Sequence, residues 1–257
     1  VADEEAVERF AAATVARFDR LDVWVNGAGT IAYGDFLDLP SDVFRRVIET
    51  NLLGQVHGAR AALRRFVPQG HGVLINMSSV WGRVSSPQVS PYVASKHAVR
   101  AFSESIRSEV EHLPEVFVTT IAPEAVDTPI FANAANYGGR RVRPIPPVLS
   151  ADEVAAGIEA CAEHPKREVT YGRAGRALEV LYSLAPPLYR RLAHPAFVAG
   201  TFDAERRGPS SGNVLRPQGR HAVAGGWRER RGDLRRAFLA AARAALRGRG
   251  DRGRPPA

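Results

Sequence analysis

The chain has 257 residues, 45% hydrophobic and 24% charged, enough for one large domain or two small ones with a substantial core and an ordinary charge content. No apolar run reaches the roughly 18 residues of a membrane span, and the acidic opening Val1-Ala2-Asp3-Glu4-Glu5 is unlike a secretory leader. The formal charge of +8 is local: residues 228–257 hold ten arginines against Glu229, Asp233 and Asp251, so the preceding body is near neutral.

Residues 3–18 read as an amphipathic helix, with acids in the first turn and Val7, Phe10, Val15 and Phe18 as apolar points. Leu21 to Val25 reads as a buried strand entering the turn Asn26-Gly27-Ala28-Gly29. Pro40-Ser41 opens a long helix, with Ser41 as N-cap, that runs to about Phe66. Val73 to Asn76 is a second buried strand, followed by a Ser/Gly/Pro-containing loop over 79–90. Pro91 suits the first turn of a helix reaching about Leu113, and Val116 to Ile121 is a third strand. The irregular stretch 122–149 contains five prolines, and loops of that length often cover active sites. Ser150 and Glu153 form a capping box at the start of another helix, and Glu168 to Tyr171 is a short fourth strand. Residues 174–193 are helical in pattern but broken by Pro186-Pro187, 203–226 read as irregular, and 234–247 as a helix ringed by arginines. Strands alternating with helices imply an α/β fold: a parallel sheet with helices on both faces and ligands beyond the carboxyl ends of its strands.

The sharpest chemical signal is Tyr92-Val93-Ala94-Ser95-Lys96. On a helix, positions i and i+4 share a face. A lysine ammonium there lowers the pKa of the phenol and makes proton exchange with an alcohol or carbonyl feasible. The bland alternative is a surface tyrosine beside a solvated lysine. Ser79 lies just past the second strand, where its hydroxyl can hold a substrate oxygen or merely satisfy its own turn. Asn51 sits mid-helix, a mediocre position for asparagine, and can hold a water that links Lys96 to solvent. Trp81 is divided evenly between pocket wall and loop packing, whereas Trp24 and His97 read as packing residues. The seven histidines lack metal-ligand spacing, so no metal site is expected. Cys161, the single cysteine, excludes an intrachain disulfide, reads as a small core residue and suggests a reducing cytoplasm.

In this order and spacing, Asn26-Gly-Ala-Gly29, Asn51, Ser79 and Tyr92-x-x-x-Lys96 resemble the short-chain dehydrogenase/reductase superfamily of the NNAG and YxxxK pattern. The similarity covers about residues 1–172. It implies a Rossmann-type doubly wound sheet, with NAD or NADP as cofactor and hydride transfer between a secondary alcohol and a ketone. By the resemblance Tyr92 is the acid/base, Lys96 lowers its pKa and binds the nicotinamide ribose, Ser79 positions the substrate oxygen, and Asn51 supports a proton relay. Asn26, Ala28, Gly29, Pro123 and Thr128 would lie along the cofactor. The long helices 41–66 and 91–113 match those that pair across subunits, which implies a homodimer or homotetramer. The expected substrate is an apolar alcohol or carbonyl compound.

Two departures stand out. The family opens with TGxxxGxG, whose glycines and helix N-terminus receive the pyrophosphate. That pattern is absent here, along with the residue that selects NAD or NADP, so a truncated product or a late start is expected. Leu21–Val25 should then form an exposed apolar sheet edge. Glu124 stands where the family usually has glycine, beside the expected nicotinamide site. The alternative reading is a non-catalytic remnant that dimerises with intact relatives. Residues 173–227 form a C-terminal extension with helices, in which Gly225-Gly226-Trp227 resembles extensions of some relatives. For the basic tail, 228–257, the preferred reading is a solvated extension; peripheral membrane contact is a second, and nucleic-acid binding lacks a supporting motif.

Overall fold

In the computed structural model the described residues are 1–218 and 222–230, with Gly232, Arg235, Arg236, Phe238, Leu239 and Arg243 beyond them. Most of the helix expected over 234–247 lies outside the described residues.

Four parallel strands form the central sheet: β1 (Val23–Asn26), β2 (Gly72–Met77), β3 (Val116–Pro123) and β4 (Glu168–Tyr171), in that spatial order. The register aligns Asn26 with Asn76, and Met77 with Ile121. Strand β2 is buried along nearly its whole length, as a strand covered on both faces must be. By contrast β1 is an edge, and Val23 and Val25 are 38% and 42% exposed. The apolar sheet edge anticipated from Leu21–Val25 is therefore present.

Helices α1 (Glu4–Phe18), α2 (Ser41–Ile48), α3 (Gly54–Gln69) and α4 (Ser90–Glu109) precede α5 (Ala151–Glu163). Asp3 caps α1 by accepting from Ala6 N at 3.0 Å. Val7, Ala11, Phe66 and Val110 pack with Trp24 and Leu74 on one face of the sheet. Cys161 of α5 packs with Val73, Ile75 and Ile121 on the other. The sheet is thus doubly wound, and the cysteine is a core residue. The capping box at Ser150 and Glu153 forms with both reciprocal hydrogen bonds.

Three local expectations change. The helix over 41–66 reaches Gln69 and is interrupted by a π-helical turn, Glu49–Leu53, that carries Asn51. No residue type announces such a turn, which is set by tertiary contacts of its side chains. The stretch 203–226 is not wholly irregular: Phe202–Arg206 pairs antiparallel with Arg140–Val142. Within 122–149 further short strands occur, including Ala125–Val126 paired with Val148–Leu149.

The extension is α6 (Ala174–Leu184) followed by α7 (Pro186–Thr201), so the proline pair ends one helix and supplies the first turn of the next. Tyr189, Ala193 and Phe197 of α7 pack on Val80 and Val84. The Tyr189 hydroxyl donates to Ser85 O at 2.6 Å. Arg83 pairs with Glu168 and with Glu179 of α6. Further along, Asp127, only 6% exposed, accepts from three backbone N–H groups, those of Gly225 at 3.0 Å, Trp227 at 2.9 Å and Arg228 at 3.2 Å.

Candidate active site

A cavity of about 360 Å³ opens beyond the carboxyl ends of the strands, within the size range of small-molecule sites. Its polar floor includes Ser79, Tyr92 and Lys96, with Gly27, Gly29, Pro123 and Thr128 along one side. Its apolar walls come from Trp81, Ile130, Phe131, Ile145 and, from the extension, Leu178 and Phe197.

Tyr92 and Lys96 sit one turn apart on α4, as their spacing requires. Lys96 is almost fully buried and donates from Nζ to the Met77 carbonyl at 2.7 Å. Its Nζ lies 5.5 Å from the centroid of the Tyr92 ring. Burial lowers the Lys96 ammonium to about 8. Burial also pushes the Tyr92 phenol up to about 12, and a hydrogen bond with Ser79 opposes this only in part. Burial thus works against the lowered phenol expected from the motif. A phenol raised to about 12 holds its proton at neutral pH, which suits proton donation to a carbonyl oxygen.

Ser79 satisfies its own turn and also lines the cavity. Its hydroxyl accepts from Trp81 N at 3.2 Å, closing its own turn, and it faces Tyr92 and the cavity. Trp81 meets the Tyr92 ring edge-to-face at 5.9 Å and lines the cavity, so it is a wall.

Asn51 is fully buried in the π turn. Its Nδ2 donates to Thr30 O at 2.9 Å and Ser95 Oγ at 3.1 Å, while Oδ1 accepts from Thr30 N at 2.8 Å. Both amide hydrogens are spent on fixing the 26–30 turn to α4, so this side chain acts as a clasp. Asn26 also faces inward, donating to Gln55 O and Asn76 Oδ1 and accepting from Trp24 Nε1 at 2.8 Å. Its side chain is thus committed to the core, while Gly27 and Gly29 line the cavity; Ala28 is exposed in the same turn.

Glu124 stands where a glycine is usual in the family. It lines the cavity, and its Oε1 accepts from Gly175 N at 2.5 Å in the first turn of α6. Burial raises its pKa, against the pull of the Gly175 and Ala174 N–H groups. The carboxylate thus fastens α6 to the strand end. The only hint in the sequence was a charged residue directly after Ile121-Ala122-Pro123.

Lys96 spends one of its three ammonium hydrogens on Met77, leaving donors for a ribose diol beside the Tyr92 hydroxyl. A Cβ added at Gly27 would meet no atom within 4 Å, so the turn leaves open space there. The nicotinamide–ribose end fits these residues, whereas no TGxxxGxG sequence is present to cradle the phosphates.

Comparison with known proteins bears on this geometry. The family described as short chain dehydrogenase matches residues 1–137. The chain is 35% identical over 195 residues to an uncharacterized oxidoreductase, YxnA, of Bacillus subtilis, covering 75% of this chain and 55% of that protein. It is 34% identical over 197 residues to dehydrogenase/reductase SDR family member 7B of Bos taurus, covering 75% of this chain and 60% of that protein. The chain therefore spans less than two thirds of the length of these curated relatives. Among solved structures, a short-chain dehydrogenase from Streptomyces avermitilis shares the fold at a TM-score of 0.63 and 24% identity, covering 74% of each chain. An alcohol dehydrogenase from the archaeon Thermococcus sibiricus, complexed with 5-hydroxy-NADP, matches at a TM-score of 0.57 and 27% identity, covering 67% of this chain and 73% of that one.

Proposed function

The chain belongs to the short-chain dehydrogenase family, and from that premise we propose that it serves an NAD(P)-dependent oxidoreductase that interconverts a secondary alcohol and a ketone. The observation that carries this reading is the convergence of Tyr92, Ser79 and Lys96 on one largely apolar cavity. A nicotinamide nucleotide, when bound, supplies or takes up the hydride. The protein's own residues handle the oxygen. Ser79 orients the carbonyl oxygen by hydrogen bonding, and Tyr92, protonated with its pKa raised to about 12, gives that oxygen its proton. Lys96 holds the ribose and keeps positive charge beside the phenol as negative charge develops there. Asn51 acts through Thr30 and Ser95 and is a positioning residue. Gly29, Pro123 and Thr128 border the cofactor, and Asn26 and Ala28 hold the shape of that turn.

The apolar walls favour an apolar alcohol or carbonyl substrate. A homodimer or homotetramer is supported by the groove between α3 and α4, where Leu63, Val67, Phe102 and Ile106 gather. The buried, unpaired Cys161 suits a reducing cytoplasm.

The test is titration of NADH and NADPH into the 257-residue chain, read by nicotinamide fluorescence, followed by a carbonyl substrate screen. Saturable binding with turnover that Tyr92→Phe lowers at least about a hundredfold is the expected result. Turnover unaffected by Tyr92→Phe would refute the assignment.

A further inference from the structure

The helical pair α6–α7 has two unlike faces. The inner one, through Leu178 and Phe197, roofs the cavity. On the outer one, Val180, Leu184, Leu188 and Leu192 are 56%, 82%, 45% and 41% exposed. Val180 and Leu184 are one turn apart on α6, as are Leu188 and Leu192 on α7, so each helix presents an apolar stripe.

Charge decides what such a face fits. Arg173, Arg176 and Arg191 are exposed around the stripes, and among the described residues none of them meets a carboxylate. The one acid between 173 and 201 is Glu179, which is engaged by Arg83. A second copy of this face would bring three arginines against three arginines with no acid to offset them. Nucleic acid would match the arginines but leave the leucines unused. A surface with anionic groups above an apolar layer satisfies both, the leucines entering the acyl boundary and the guanidinium groups meeting phosphates.

We propose that the outer face of α6–α7 is a docking surface for an anionic lipid bilayer. The contact is peripheral, since no described helix is long and apolar enough to cross a membrane. Docking sets the roof of the apolar cavity against the bilayer, where a lipid-dissolved substrate would arrive. Only this last link rests on the proposed oxidoreductase reading.

The experiment is flotation of the full 257-residue chain with phosphatidylglycerol-containing vesicles and with pure phosphatidylcholine vesicles, with no cofactor added. The expected result is co-flotation with the anionic vesicles alone, weakened about tenfold or more by Leu184→Glu with Leu188→Glu, whose exposed sites leave the thermal melt unchanged. Arg176→Ala with Arg191→Ala should independently weaken the anionic binding by a comparable factor. No flotation at low salt would overturn the proposal. So would equal flotation of both double variants, which would transfer the binding to the arginine-rich residues 228–257. Wild-type self-association in sedimentation that the leucine variant abolishes would overturn it too, in favour of a second copy.

Discussion

At Lys96 and Tyr92, burial moves two neighbouring groups in opposite directions along the pH scale. The ammonium, lowered to about 8, is present below that pH and lost as pH rises through it. The phenol, raised to about 12, keeps its proton across the same range. Carbonyl reduction should therefore decline above about pH 8 while Tyr92 is still protonated, as a rate–pH profile would reveal. Lys96→Arg should be slower overall but flat through that region, because guanidinium stays charged. A decline centred near the ordinary phenol value, about 10, would assign the profile to Tyr92 instead. The i, i+4 spacing of this pair was legible in the sequence because a helix face is a local property. The fate of Asn26 was not, since its partners Gln55 and Asn76 are 29 and 50 residues away.

Elements meet through a few crowded contacts. A Cβ on Gly58 of α3 would overlap the Asn26 carboxamide and lie 2.7 Å from Trp24 Nε1. Gly58→Ala gains up to about 1 kcal/mol of helix propensity but must displace that hydrogen-bonded cluster. The expected net result is a loss of roughly 1–3 kcal/mol, measured by urea unfolding. Glu124 joins β3 to α6 in a different way. Because burial raises its pKa, the folded chain favours the neutral carboxyl, and this contribution is lost as pH rises through the folded value. Glu124→Gln should thus raise the melting temperature at pH 7 and change it little at pH 4, where both side chains are neutral. The strands, α1, α4 and the capping box of α5 were readable from periodicity and end signals. The π turn at Glu49–Leu53 was not, because the bonds of Asn51 to Thr30 and Ser95 that accompany it are tertiary.

On the scale of the molecule, β1 is the outer strand of the sheet among the described residues. Val23 and Val25 expose apolar side chains next to unpaired strand backbone, a template for edge-to-edge association. Val25→Lys should raise the concentration at which light scattering first appears, with the melting temperature nearly unchanged. An unaltered onset would place the association elsewhere on the surface. The fold class followed from alternating strands and helices, whereas the shape of the pocket did not, because its walls come from segments as distant as Trp81 and Phe197. The same distance has a temporal side at Asp127. Its carboxylate waits for the N–H groups of Gly225, Trp227 and Arg228, about a hundred residues downstream. A ribosome synthesises the whole sheet before it delivers those donors. The loop that carries Thr128 therefore gains its three distant donors only after β1 to β4 have been made.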